Sequence, residues 1–98
     1  LDKDFKSYNE VADILKALAH PVRLCIVKGL MQKENCNVTY IQECLDLPQS
    51  TVSQHLQKLR SMGIVETERS GLEIKYHVAN ERIKKLIRIF FEEEIHNE

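Results

Sequence analysis

Val38-Thr39-Tyr40-Ile41-Gln42-Glu43-Cys44-Leu45-Asp46-Leu47-Pro48-Gln49-Ser50-Thr51-Val52-Ser53-Gln54-His55-Leu56-Gln57-Lys58-Leu59-Arg60-Ser61-Met62-Gly63 reads as two short helices joined by a tight turn, and this stretch decides the fold. In the second helix Val52, Leu56 and Leu59 recur at i, i+4 and i+7, which fixes one buried stripe. At about 100° per residue, Ser50, Gln54, Gln57 and Ser61 point away from that stripe, with Thr51, Ser53 and Lys58 on its flanks. All seven can hydrogen-bond and none is acidic. A merely solvated face mixes Glu with Lys, whereas a face lying beside phosphates and base edges excludes carboxylates and favours amides and hydroxyls. This side of the helix is therefore read as a surface for a nucleic-acid groove. Gly63 predicts a left-handed cap, with Lys58 and Arg60 complementing the carbonyl end.

Upstream, Ser7 and Glu10 form a capping-box signature for a helix over about 7 to 18, in which Tyr8, Val11, Ile14, Leu15 and Leu18 repeat with helical period. His20-Pro21 interrupts it and starts a second helix, apolar on nearly all sides, from Val22 to Met31. Gly29 inside this helix costs roughly 1 kcal/mol relative to alanine, so either the helix tolerates it or a neighbouring backbone comes close. Lys33 to Asn37 reads as a loop ending in an N-cap at Asn37. After Gly63 the period changes to two: Ile64 to Arg69, a Ser70-Gly71 turn, and Leu72 to Val78 predict a β-hairpin in which Leu72, Ile74, Tyr76 and Val78 form the packed face. Asn80 caps a last helix with a stripe of Ile83, Leu86, Ile87, Phe90 and Phe91. The fold class is mainly α with a small β-hairpin wing: four helices, the hairpin, then a fifth helix. Residues 1–98 read as a single domain.

Composition narrows the function classes. The 98 residues are 43% hydrophobic and 30% charged with a net charge of -1, as in an ordinary soluble domain and unlike a protein that coats nucleic acid by bulk charge. The distribution matters more than the sum: Leu47 to Met62 holds Lys58 and Arg60 and no acid, while Glu92, Glu93, Glu94 and Glu98 load the C-terminus. No apolar run is long enough to span a bilayer and nothing resembles a signal peptide, so no membrane partner and a cytoplasmic location are expected. Three cysteines, Cys25, Cys36 and Cys44, are an odd number without scaffold spacing, which fits a reducing compartment. No nucleophile sits at suggestive spacing from a base and no glycine-rich phosphate loop is present, so the chain is not read as an enzyme.

A helix-turn-helix followed at once by a hairpin is the winged-helix arrangement. Ala17-Leu18-Ala19-His20-Pro21-Val22-Arg23-Leu24, Leu47-Pro48-Gln49-Ser50-Thr51-Val52-Ser53-Gln54-His55-Leu56, and Gly63-Ile64-Val65 followed by Gly71-Leu72-Glu73-Ile74-Lys75-Tyr76 resemble the ArsR/SmtB family of bacterial repressors over roughly residues 8 to 91. The resemblance implies a homodimer, paired through the first and last helices, that binds double-stranded operator DNA at an imperfect inverted repeat and represses transcription. Carried onto this sequence, it places Gln49, Ser50, Ser53 and Gln54 at base and phosphate contacts, with Arg69 and Lys75 on the wing. Thr51, Gln57 and Lys58 join them from the helix geometry, and Gln54 is the candidate for reading an adenine through a bidentate amide contact. His55 reads as packed or locally hydrogen-bonded and Arg23 as an interhelical ion-pair partner.

The signal is less legible. The resemblance to metal sensors breaks down at the ligands: Asn37-Val38-Thr39 stands where one subgroup has Cys-x-Cys, and Asn80 and Arg82 stand where another has an acid and a histidine, although Glu93 and His96 match its second half. No metal and no cofactor are therefore expected. Cys36 and Cys44, eight residues apart, would lie roughly 12 Å apart on one continuous helix, too far to share an ion. Cys25 and Cys36 are the candidate thiol sensors, with Cys25 expected as a small buried hydrophobe and Cys36 as the exposed thiol. A thiol-responsive repressor and one without any inducer both stay open, with a metal-responsive repressor or a winged-helix protein-interaction module as alternatives.

Overall fold

Local signals fix most of the element boundaries in the computed structural model, which describes residues 3–92. Helix α1 runs Phe5–Leu18, α2 Pro21–Gln32, α3 Val38–Leu45, α4 Gln49–Ser61 and α5 Glu81–Phe90, with strands β1 Cys36–Asn37, β2 Val65–Ser70 and β3 Glu73–Val78. The Asn37 side chain caps α3 by accepting from Tyr40 N, and Asn80 caps α5 by accepting from Arg82 N and Ile83 N. Helix α1 begins two residues before the expected start, because Asp4 and not Ser7 is its cap: the carboxylate accepts from Ser7 N at 3.3 Å. His20 caps α2 through Nδ1, which accepts from Val22 N at 3.1 Å, with Pro21 in the first turn.

The C-terminus of α4 closes with Gly63 N donating to Arg60 O and Ile64 N to Leu59 O, both at 3.0 Å. This double closure requires the left-handed conformation that Gly63 adopts, at φ 73°. It delivers the fully buried Ile64 and Val65 into the core and launches β2. A two-residue loop, Gly71-Leu72, with positive φ at Gly71, returns the chain antiparallel in the register Ser70↔Glu73 to Val65↔Val78.

Two features depart from the sequence reading. The sheet has three strands in the order β1-β3-β2, because Cys36 and Asn37 pair with Tyr76 and Lys75 along the open edge of β3. The packed face of the hairpin is shorter than the alternation suggested: Val78 is buried and Tyr76 half-buried, but Ile74 is 43% and Leu72 99% exposed, since the wing extends past the core before it turns.

The core lies where α2, α3, α4, α5 and the base of the sheet meet, around Val27, Leu30, Val52, Leu56, Leu59, Ile64 and Ile87. Burying one such leucine is worth roughly 1.5–3 kcal/mol. Gly29 faces open space: a Cβ there would meet nothing within 4 Å, so no close backbone explains it. Gly29→Ala is accordingly expected to raise stability by about 0.5–1 kcal/mol through helix propensity alone, read as a higher midpoint in thermal or urea unfolding.

Candidate nucleic-acid interface

Helix α4 is anchored on one side by Val52, Leu56 and Leu59, each at most 1% exposed, which turns its opposite side to solvent. Gln49, Ser50, Ser53, Gln54, Gln57 and Lys58 are exposed together and Thr51 is half-buried at their edge. No side chain caps this helix; its N-cap is Pro48, whose carbonyl accepts from Thr51 N and Val52 N at 3.1 Å. Uncapped first-turn N–H groups at the positive end of a 13-residue helix suit a phosphate oxygen. The arrangement sets exposed side-chain amides along α4, uncapped N–H groups at its start, and Lys58 and Arg60 in its last turn.

The wing carries its two candidate cations on opposite faces. Strand alternation groups Lys75 with Glu73 and His77 on β3 and, across the register, with Glu66, Glu68 and Ser70 on β2. Lys75 is half-buried and shares its face with three carboxylates, one of which, Glu73, accepts from Asn37 Nδ2 at 2.9 Å. Arg69 projects from the other face, exposed near the tip, and donates from Nη1 to the Gly71 carbonyl at 3.5 Å. Of the pair, Arg69 has the surroundings expected of a phosphate contact.

A cluster behind α4 sets its orientation, and sequence reasoning missed how it assembles. Arg23 of α2 donates from Nε to His55 Nδ1 at 3.1 Å and from Nη1 to the Ala17 carbonyl at 3.2 Å, so it makes hydrogen bonds instead of the expected ion pair. The His55 ring lies against His20, with centroids 4.6 Å apart and planes at 55°. One arginine and two histidines thereby tie α4 to the end of α1 and the start of α2. The signal was present in His20-Pro21-Val22-Arg23 and His55, but nothing in one dimension says that residues 32 apart share a hydrogen bond.

Burial, then the His20 and Arg23 charges, holds the His55 imidazole below the ordinary histidine range. A histidine lowered in the folded state is protonated first in the unfolded chain, so its stabilising contribution is complete above about pH 6.5 and is lost as pH falls from there towards its folded value. The melting temperature should therefore drop on acidification below about pH 6.5, and His55→Gln should flatten that drop. An unchanged pH profile in the variant would remove His55 as the titrating group.

The thiols reverse the expected burial. Cys25 is exposed, because α2 turns Ile26, Val27 and Leu30 inward and leaves position 25 outside; Cys36 is only 5% exposed, because pairing with Tyr76 draws β1 against the sheet. The Cys36 thiol donates to the Lys33 carbonyl at 3.0 Å, and burial pushes its pKa up, opposed by Lys33 and aided by Cys44. Since Cys36 precedes α3 in a strand, the helical-rise spacing from Cys44 does not apply. Among the described residues no group of three or more His, Cys, Asp or Glu side chains is disposed to hold a metal ion. Glu93 and His96 lie outside the described residues.

A second surface is apolar. Leu15, Leu18, Leu24, Leu86, Phe90 and Phe91 line a groove of about 370 Å³ between α1, α2 and α5. Around it Phe5 is 67%, Val11 44%, Leu15 49%, Ile89 71% and Phe90 72% exposed. Helices α1 and α5 thus leave large apolar side chains exposed beside this groove.

A family model described as bacterial regulatory protein, arsR family, matches residues 20–67. The chain is 43% identical over 86 residues to the transcriptional repressor PagR of Bacillus anthracis, covering 88% of this chain and 86% of that protein. The crystal structure of PagR is similar with a TM-score of 0.81 at 42% identity, over 89% of this chain and 99% of that one. The biofilm growth-associated repressor of Agrobacterium fabrum is 41% identical over 88% of this chain and 73% of its own length. The solution structure of a homodimeric winged helix-turn-helix DNA-binding domain, Mb0332 from Mycobacterium bovis, is similar with a TM-score of 0.80 at 29% identity, over 100% of this chain and 94% of that one.

Proposed function

We propose, since the chain belongs to the arsR family of bacterial regulatory proteins, that it is a transcriptional repressor which binds an inverted-repeat operator as a homodimer. Residues 1–98 act as one winged helix-turn-helix domain. The observation that carries the reading is the acid-free, exposed amide and hydroxyl face of α4, held rigid from behind by Val52, Leu56 and Leu59.

Helix α4 enters the major groove. Gln54 reads a base edge, with Ser53 and Gln57 beside it, and the uncapped start of α4 at Gln49 and Ser50 takes a phosphate. Thr51 supports this edge, Lys58 contacts the backbone beyond the reading residues, and Arg69 on the wing tip adds a phosphate contact from the flanking groove. Lys75 contributes less than Arg69, because Glu66, Glu68 and Glu73 share its face.

The partner for the apolar strip on α1 and α5 is a second copy of the chain. A two-fold axis there buries Leu15 and Phe90 of both protomers and sets two α4 helices for successive major grooves, about 34 Å apart. Homodimerisation of the Mycobacterium bovis domain supports a dimer. The chain's family is one of transcriptional regulators, which supports a binding function.

Hydroxyl-radical footprinting on the DNA upstream of the chain's own gene tests the reading. Two protected segments related by two-fold symmetry, about one helical turn apart, are expected. A single asymmetric footprint, or uniform protection, would refute the dimeric inverted-repeat reading.

A further inference from the structure

All three cysteines of the chain meet at one open cavity of about 340 Å³ between α2 and α3. Its floor is apolar, with Ile26, Leu30 and Ile41, and the buried Cys36 sits there as well. Cys25 on α2 and Cys44 on α3 are exposed on its walls, joined by Tyr40. Gly29 lines the same space, and a Cβ there would meet no atom within 4 Å. A glycine in a helix interior carries a conformational cost, and here no packing contact requires it; its effect is to keep the cavity wide. The volume falls at the lower end of the range for small-molecule sites, about 300–1,000 Å³.

We infer that this cavity binds a compact, largely apolar, thiol-reactive electrophile such as an activated alkene, which becomes bonded to Cys44. Two other uses of three thiols fit less well. The side chains are not disposed to hold a metal ion. Cys36, which a disulfide with Cys44 would need, is buried and engaged with the Lys33 carbonyl. Cys44 has the better setting for addition: it is exposed at the cavity, one helical turn after Tyr40, whose side chain lines the same space. Burial disfavours the Cys36 thiolate, and its thiol is engaged with the Lys33 carbonyl, so that sulfur is a poor nucleophile.

The step is a conjugate addition. The Cys44 thiol loses its proton to water, and the thiolate sulfur bonds to the β-carbon of the alkene. The π pair moves onto the activating carbonyl as an enolate, and the α-carbon then takes a proton from water. Nothing is oxidised or reduced and no group leaves. An adduct filling the space between α2 and α3 displaces α3, and Cys44 lies two residues before Asp46, whose left-handed conformation at φ 57° turns the chain into α4. Occupancy is thereby transmitted to the reading helix, a consequence that rests on the DNA-binding function proposed above.

The test uses the full chain, freshly reduced, with N-ethylmaleimide as the electrophile and peptide mass spectrometry as the readout. Cys44 should be labelled with a rate that saturates in probe concentration and an initial efficiency about tenfold above that of glutathione at the same pH, with Cys36 unlabelled in the folded protein. The unreactive analogue N-ethylsuccinimide should compete. Gly29→Leu, which fills the cavity, should remove saturation and slow Cys44 about tenfold without lowering the melting temperature. Labelling linear in probe at the glutathione rate, with no protection by the succinimide, would overturn the site whether or not the leucine variant folds. Operator binding of the unlabelled protein is measured first, so that failure of the DNA reading is seen separately. If the unlabelled protein binds, the stoichiometric adduct should weaken binding about tenfold and treated Cys44→Ser should not change; an adduct with unaltered affinity would overturn the transmission.

Discussion

Leu15→Asp should convert the protein to a folded monomer and lower its operator affinity by roughly 10²–10⁴-fold. Leu15 is half exposed in the protomer and lines the groove between α1, α2 and α5, so the substitution removes little from the core around Val27, Leu56 and Leu59. Its effect falls on the assembled dimer, where two symmetry-related carboxylates would be buried against apolar surface at a cost of several kcal/mol each. Operator binding suffers because two half-sites held by one rigid dimer act as a single bivalent contact, and separate monomers lose that linkage. Sedimentation equilibrium and a melting curve on the same sample separate the outcomes. A monomer with near-native melting and weak operator binding is expected. A dimer that persists would place the two-fold axis elsewhere.

Gln54→Ala should cost about 1–3 kcal/mol against the cognate operator, or roughly 5- to 150-fold in affinity, while binding to scrambled DNA stays unchanged. The amide is exposed at the centre of the α4 face, far round the helix from Val52, Leu56 and Leu59, so its removal leaves the fold intact. Alanine also abolishes the donor and acceptor pair with which an amide distinguishes adenine. Arg69→Ala behaves differently: it should weaken all DNA to a similar degree and reduce the salt dependence by about one phosphate per protomer. Competition titrations against operators with one base pair changed would show the contrast, and equal losses on cognate and scrambled DNA for Gln54→Ala would show that this residue does not read sequence.

Much of this architecture was legible because its boundaries are local. Asn37, Gly63, Gly71 and Asn80 each impose a conformation or supply a hydrogen bond within a few residues, and each acts at or beside its predicted position. The α4 face was legible for the same reason, since helical geometry alone separates Gln54 from Leu56. What the sequence could not carry is decided by distant parts of the chain. Cys36 looked like a loop thiol until β3 offered an open edge for it to pair with. Leu72 and Ile74 alternate as a packed face should, but the core ends before them. Cys25 lies on a helix apolar on nearly every side, where composition does not say which side turns inward. The link from Arg23 to His55 and the meeting of three thiols at one cavity depend on how α2 packs against α3 and α4.

The division of charge also explains how a chain of net charge -1 can read DNA. Lys58, Arg60 and Arg69 are exposed on α4 and the wing, and Leu47 to Met62 contains no acid, with Asp46 just outside it. Nonspecific affinity should accordingly be modest and strongly screened. Specificity then depends more on amide and hydroxyl contacts than on bulk attraction.

Fluorescence anisotropy of the protein with its own upstream DNA and with scrambled DNA, across a range of salt concentrations, tests the central claim most directly. A dimer that prefers the upstream sequence by at least about 10³-fold is expected, with a log–log salt slope of about -5 from three cations on each protomer. Equal affinity for the two DNAs at every salt concentration would contradict the account and identify the α4 face as a surface for something other than a DNA sequence.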